Sequence, residues 1–242
     1  MQLSRLVRCK IATMADSLLH PMPFTRMEIA VLGLVDKRLQ VLLVRREHAP
    51  HPGQWALPGG VLRIDLDASL EAAARRVLRE RLGLELPFLR QLCAVGGSHR
   101  DPRAPWALSV VYRAMVMASQ LAPLAGKRVK QVTWRPVEDV MKDRALAFDH
   151  AALVAMAVEA TRQEIEQLEL PAGILPPQFT LSELQVDCEQ LLGRRLDKSS
   201  FRRRLADRAL VEPVQGVTRA GANRPAQVYR LRRDPEPQGN KA

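Results

Sequence analysis

The segment GGSHRDPRAPWALSVVY (96–112) sets Arg100, Asp101 and Arg103 close together, just ahead of an apolar run. Two guanidiniums at that spacing suit bidentate contacts to phosphate, and the carboxylate between them suits sugar hydroxyls. Trp106 adds a flat face for stacking on a base. The same RDPR run is also a good exposed turn with its own ion pair, and His99 reads as a surface loop residue. Upstream, GGVLRIDLDASLEAAARRVLRERLGL (59–84) joins a Gly-Gly pair to a helical stretch bearing Arg76, Glu80 and Arg81. Downstream, from Gly193 to Arg233, twelve Lys or Arg stand against three acids. A balance of +9, out of +11 for the whole chain, therefore sits in one short stretch. Nucleic acid or an anionic lipid surface would match it, and the lack of a strong amphipathic membrane helix favours nucleic acid.

Elements that must position these groups follow from periodicity. MEIAVLGLVD (27–36) and RLQVLLVRR (38–46) are apolar, β-branched runs around a turn at Asp36 and Lys37, which predicts a hairpin. WALPGGV (55–61) reads as a short strand ending in a Gly-Gly turn. In the next segment Leu70, Ala73, Ala74, Val77, Leu78 and Leu82 recur at helical spacing, with Asp67 or Ser69 as cap and Gly83 as stop. Strand-like runs return at 89–95, 106–117 and 131–134, and residues 147–169 are helical again. This order predicts an α+β fold. PAGILPP (171–177) then breaks the pattern, since proline cannot continue a helix.

After that break, TLSE (180–183) has the capping-box form and opens a helix running to Gly193. A second helix, KSSFRRRLADRAL, follows Asp197, and the runs LVEPV and QVYRL flank the loop QGVTRAGANRPA. Helix, turn, helix and β-hairpin in about sixty residues describe a winged helix. Phe201, Leu205 and Ala209 mark its core face, with Arg203 nearly opposite. A recognition helix puts its N-terminal polar residues against base edges, where arginine reads guanine and serine contacts phosphate or base. Candidate DNA contacts are Ser199, Ser200, Arg202, Arg203 and Arg204 on the helix, Arg194, Arg195 and Lys198 at the turn, and Arg219 and Arg224 in the wing. The bland alternative is a solubilising charged face.

Residues 59–84 resemble the Nudix box, G-x5-E-x7-R-E-U-x-E-E-x-G-U with U aliphatic, matching at Arg76, Gly83 and Leu84. In that family a strand-turn-helix holds divalent cations with glutamates. Counting back from Gly83, the metal-binding glutamates fall at 77, 80 and 81, where this chain has Val77, Glu80 and Arg81. The upstream glutamate is missing too, and Gly60 to Arg76 spans 16 positions against 14 in the pattern. Magnesium needs oxygen ligands, and a guanidinium beside the site adds about 1–4 kcal/mol of repulsion per charge pair. The resemblance therefore implies a pocket that binds without catalytic residues or a metal. Its expected ligand contacts are Arg46, Trp55, Gly59, Gly60, Arg76 and Glu80, joined by Arg100, Asp101 and Arg103.

A degenerate Nudix domain followed by a winged helix ending NRPAQVYRL resembles the Nudix-related transcriptional regulators of NrtR type. That resemblance implies a Nudix-like α/β/α sandwich with a mixed sheet and then a winged helix. It implies a homodimer on double-stranded operator DNA, repressing NAD-metabolism genes and released by ADP-ribose or a related nucleotide, with no cofactor required. Relatives controlling sugar catabolism are a second branch. An active ADP-ribose pyrophosphatase with an accessory basic domain is the main rival, and a ligand-free nucleic-acid adaptor a third. The expected layout is an N-terminal extension at 1–25, ligand-sensing domain at 26–148, helical connector at 149–177, winged helix at 178–233 and tail at 234–242. Cys9, Cys93 and Cys188 are widely spaced, which points to a reducing cytoplasm without disulfides or zinc. No run is long and apolar enough to span a membrane.

Overall fold

The structure is a computed structural model and describes residues 22–170, 173, 175–220 and 225–232. Its first strand, β1 (Phe24–Val35), turns back at Asp36 and Lys37 into β2 (Arg38–Arg46). Both turn residues hold positive φ, 49° and 61°, the backbone that a two-residue hairpin requires. β1 begins two residues ahead of the boundary expected at 26, because Phe24 and Thr25 already pair with β6.

WALPGGV is not one strand. It forms β3 (Trp55–Ala56), which pairs with β2, and β4 (Gly59–Val61), which pairs with β1. The Gly-Gly pair expected to turn the chain is instead inside β4. This corrects the sequence reading: no side chain at 59 or 60 means that β4 can lie close against Glu28 and Val77. A β-carbon on Gly59 would sit 1.9 Å from Glu28 Oε2, and one on Gly60 would sit 2.7 Å from Val77 Cγ2.

Helix α1 (Leu70–Leu82) starts at Ser69, whose hydroxyl accepts from the Ala72 amide, and stops at Gly83 with φ 65°. Next come β5 (Arg90–Ser98), β6 (Trp106–Val116) and β7 (Val129–Pro136). The sheet runs β3-β2-β1-β6-β5, with β4 on β1 and β7 on β2; β1 and β6 are parallel and the other pairs antiparallel. Alternation along β1 buries both faces: Met27, Ile29 and Val31 meet α1, while Ala30 and Leu32 meet the opposite layer. That layer is a short α2 (Val137–Val140) and the long α3 (His150–Glu166). An α/β/α sandwich with a mixed sheet results.

The C-terminal part holds β8 (Phe179–Thr180), α4 (Leu181–Leu192), α5 (Lys198–Asp207), β9 (Val211–Arg219) and β10 (Ala226–Leu231). The capping box forms: Thr180 Oγ1 accepts from the Glu183 amide, and the Thr180 amide donates to Glu183. β9 takes the first five residues of the segment expected to be loop, and β8 adds a strand too short to show periodicity. One apolar cluster runs from Leu32 and Leu43 through Leu153, Val154 and Ala157 to Leu184, Cys188, Phe201 and Leu205. The break at 171–177 therefore does not separate two cores. A buried leucine contributes about 1.5–3 kcal/mol, so this shared cluster ties the winged helix firmly to α3.

Candidate ligand cleft and nucleic-acid interface

Between the N-terminal half of β1 and the C-terminal half of β2 the sheet forks, and β3 and β4 enter the gap. Above it lies a cleft of about 60 Å³, lined by Arg26, Arg46, Arg81, Arg103 and Arg128 around Gly59, Gly60 and Val61. Five guanidiniums converge there. Burial, then the nearby charges of Arg26 and Arg103, lowers Arg46 to about 10. Arg81 is pushed down by burial first and by Arg128, Arg26 and Arg76 after it. Such crowding disfavours the charged forms, and an anion between them would relieve it.

A buried network holds the cleft floor. Arg26 Nε donates to Glu28 Oε1 at 2.7 Å, and its Nη1 lies 3.5 Å from Asp101. Asp101, 2% exposed, accepts from the Arg103 guanidinium at 2.8 and 2.5 Å. The Leu57 amide donates to His150 Nδ1, which leaves the ring hydrogen on Nε2, 3.7 Å from Glu28 Oε2. Burial alone would raise the Glu28 carboxyl, but Arg26 and His150 bring it down to about 2. A wholly buried carboxylate is costly unless paired, so the pair keeps Arg26 charged and aimed.

The expected ligand residues divide. Arg46, Gly59, Gly60 and Arg103 line the cleft, and Asp101 lies just beneath it. Arg76 instead donates to both Asp67 oxygens at 2.7 and 2.8 Å and to the Val61 carbonyl, holding the loop before α1. Glu80 pairs with Arg76 at 3.4 Å. Arg100 is bound to Asp149 and Ser109, and half-buried Trp55 packs on the α3 side of the core. The structure does not bring these four into the cleft. Arg26, Glu28, Arg128 and His150 carried no expectation from the sequence, yet they line the cleft or brace its floor. Two charges alternating with Met27 and Ile29 in a strand buried on both faces were the readable signal for the first pair.

Divalent metal does not fit the box. Val77 is buried under Gly60, Glu80 is committed to Arg76, and Arg81 donates to the Gly59 and Lys127 carbonyls. Among the described residues no three His, Cys, Asp or Glu side chains are placed to hold a metal ion.

Beside this cleft, and sharing Val61 with it, is an apolar pocket of about 630 Å³ lined by Phe24, Ile64 and Trp106. Arg103 bridges the two, its guanidinium 4.9 Å from the Phe24 ring centre. A larger groove of about 780 Å³ lies between α3 and the wing. Three of its five arginines are ion-paired inside it, Arg75 with Glu71 and both Arg90 and Arg113 with Glu164, while Arg208 donates to the Gln167 carbonyl and Arg232 lies 3.9 Å from Glu212.

On α5, Phe201 and Leu205 are buried while Lys198, Ser199 and Arg203 are exposed. Arg203 has no ion pair or hydrogen bond among the described residues, so its guanidinium is available. Ser200 is partly buried, and its amide donates to the Asp197 cap. Other candidates are engaged within the protein: Arg194 with Glu166, Arg195 with Glu189, Arg202 with Ser182, and Arg204 with the Glu166 carbonyl. Arg219 pairs with Glu183 and the Gln178 carbonyl. Arg224 lies outside the described residues. No helix among the described residues is long and apolar enough to cross a membrane.

Residues 25–156 match the NUDIX domain family, and residues 171–231 match the NrtR DNA-binding winged helix domain. The chain is 35% identical to the "ADPR responsive transcriptional repressor NtrR" of Acinetobacter baylyi, over 88% of this chain and 83% of that one. It is 32% identical to an ADP-ribose pyrophosphatase of Methanocaldococcus jannaschii, over 56% of this chain and 72% of that one. Shewanella oneidensis NrtR complexed with a 27mer DNA superposes with TM-score 0.69 at 34% identity, covering 86% of this chain and 93% of that one. The NUDIX domain of the same protein complexed with ADP ribose gives TM-score 0.55 at 33% identity, covering 61% and 97%. This chain belongs to the NrtR-type family of Nudix-related transcriptional regulators.

Proposed function

We propose that this protein is a transcriptional repressor of NAD-metabolism genes whose Nudix domain binds ADP-ribose without hydrolysing it and thereby releases the operator. The carrying observation is the cleft itself. Five arginines gather around β4, while the positions of the family's metal-binding glutamates carry Val77 and Arg81. The diphosphate sits on Arg26, Arg46 and Arg103, whose guanidiniums suit phosphate geometry. The base lies against Trp106 and Phe24 in the adjoining apolar pocket. The similarity to the ADPR-responsive repressor and to the ADP-ribose complex supports the same choice of ligand.

The DNA reader is α5, with Arg203 on base edges and Lys198 and Ser199 at the backbone. Two copies form a homodimer whose recognition helices enter successive major grooves about 34 Å apart. An operator selected from a random duplex pool, labelled and titrated with ADP-ribose, NAD or simple sugars, tests the reading. ADP-ribose dissociates the complex, and Arg103→Ala raises the concentration needed. Absence of any selected consensus, or release that is indifferent to ADP-ribose, would overturn it.

A further inference from the structure

Helix α3 touches both sites. Just before it, the Phe148 ring is held by the cleft: the Arg26 and Arg46 guanidiniums lie 5.2 and 5.1 Å from its centre. His51 meets the ring edge-on at 4.6 Å. Phe148 itself has φ +57°, a left-handed backbone that a bulky residue keeps only when its surroundings enforce it. His150, the first residue of α3, receives the Leu57 amide two residues before Gly59, and faces a Glu28 oxygen that has no hydrogen-bond partner.

At the other end, the carbonyls of Glu166 and Gln167 accept from Arg204 and Arg208, which lie on and just after α5. Arg194 pairs with the Glu166 carboxylate at 2.7 Å. Cations at a helix C-terminus complement its dipole, so the grip is favourable as well as directional. Between these ends α3 has 17 residues, roughly 25 Å of rigid helix. Its Leu153, Val154 and Ala157 share one core with Leu184 and Cys188 of α4.

Resting on the reading of the cleft as a nucleotide sensor, we propose that α3 is the rod coupling ligand to DNA. Phe148 is its positioning residue at the cleft, and Arg204 with Arg208 is its hold on the recognition helix. A diphosphate competes with the Phe148 ring face for Arg26 and Arg46. Once those guanidiniums turn to the ligand, the left-handed backbone at 148 loses what enforces it and relaxes. The first turn of α3 moves with it, and the far end carries α5 along through its last carbonyls. Ligand affinity then differs between the two arrangements, as any ligand-driven shift requires.

The test compares Phe148→Leu, Phe148→Tyr and Arg208→Ala with the wild type in the full-length protein. ADP-ribose binding is measured by calorimetry, and operator affinity with and without saturating ADP-ribose by fluorescence anisotropy. Wild type and Phe148→Tyr show a loss of operator affinity of about 5–150-fold on adding ADP-ribose, the usual span of coupling. Phe148→Leu and Arg208→Ala still bind ADP-ribose, yet their factor falls at least threefold. Tyrosine keeps the ring face that leucine lacks, so a merely structural role for Phe148 would not produce this split. If Phe148→Leu fails to fold, Arg208→Ala, on the exposed surface, still decides. A wild-type factor that survives in Arg208→Ala and in folded Phe148→Leu overturns the rod alone. A wild-type factor near one overturns the sensor reading itself, and the rod with it. Loss of ADP-ribose binding in Phe148→Leu would place Phe148 in the ligand site and overturn its positioning role.

Discussion

Replacing Glu28 with glutamine keeps the shape of the cleft floor and removes its charge. Glu28 falls from an ordinary 4.5 to about 2 in the folded protein. Each tenfold in proton affinity is about 1.4 kcal/mol, so its ionised form stabilises the fold by about 3 kcal/mol at neutral pH. Being fully buried, the pair is not screened by solvent. In Glu28→Gln the Arg26 side chain, 6% exposed, keeps only Asp101 at 3.5 Å as a counter-charge. Asp101 is already shared with Arg103. At roughly 2–4 °C per kcal/mol for a chain of this size, Tm falls by roughly 6–12 °C at pH 7. A carboxyl depressed on folding contributes above its unfolded value and loses that contribution as pH falls through the folded one. The gap between wild type and variant is therefore full above pH 4.5 and closes toward pH 2. Thermal denaturation of both proteins from pH 3 to pH 7 reads it. A gap that is equally wide at pH 3 and pH 7, or absent at pH 7, would refute the network.

Arg203→Ala weakens selected operator by about 1–3 kcal/mol and random duplex hardly at all, in parallel anisotropy titrations; equal losses would make Arg203 a backbone contact. Arg46→Ala lowers ADP-ribose affinity by roughly 10–150-fold, as expected for a charge-assisted contact worth about 1.5–3 kcal/mol. Arg76→Ala costs about 1–3 kcal/mol of stability, because Asp67 keeps only the Arg63 amide as a partner, while calorimetry finds ADP-ribose affinity preserved. Hydrolysis of ADP-ribose in magnesium stays far below about 1 per second. Val77→Glu does not restore it and destabilises the fold, since the carboxylate enters a core position under Gly60.

Periodicity made most of the fold readable. The apolar runs of β1 and β2, the helical spacing from Leu70 to Leu82 and the box at Thr180 and Glu183 were all local signals, and each formed. What stayed hidden depends on contacts distant in sequence. Glu28 is 122 positions from His150, and only the closed sheet shows why the Gly-Gly pair is strand and not turn. Composition marked the basic stretch 193–233 but could not say which of its arginines face outward. Arg194, Arg204 and Arg208 look identical to Arg203 in sequence, yet they bind α3 while Arg203 stands clear. Arg76 and Glu80 matched a family pattern of metal-site residues, and here they hold a loop and each other.

Sensing and DNA release share one equilibrium, so they are bound by reciprocity: whatever factor ADP-ribose takes from operator affinity, operator must take from ADP-ribose affinity. Calorimetric titration of ADP-ribose into the free protein and into its saturated operator complex measures that second factor directly. ADP-ribose binds more weakly in the complex, by the same factor of about 5–150 expected for operator release. Identical ADP-ribose affinity with and without operator would contradict it.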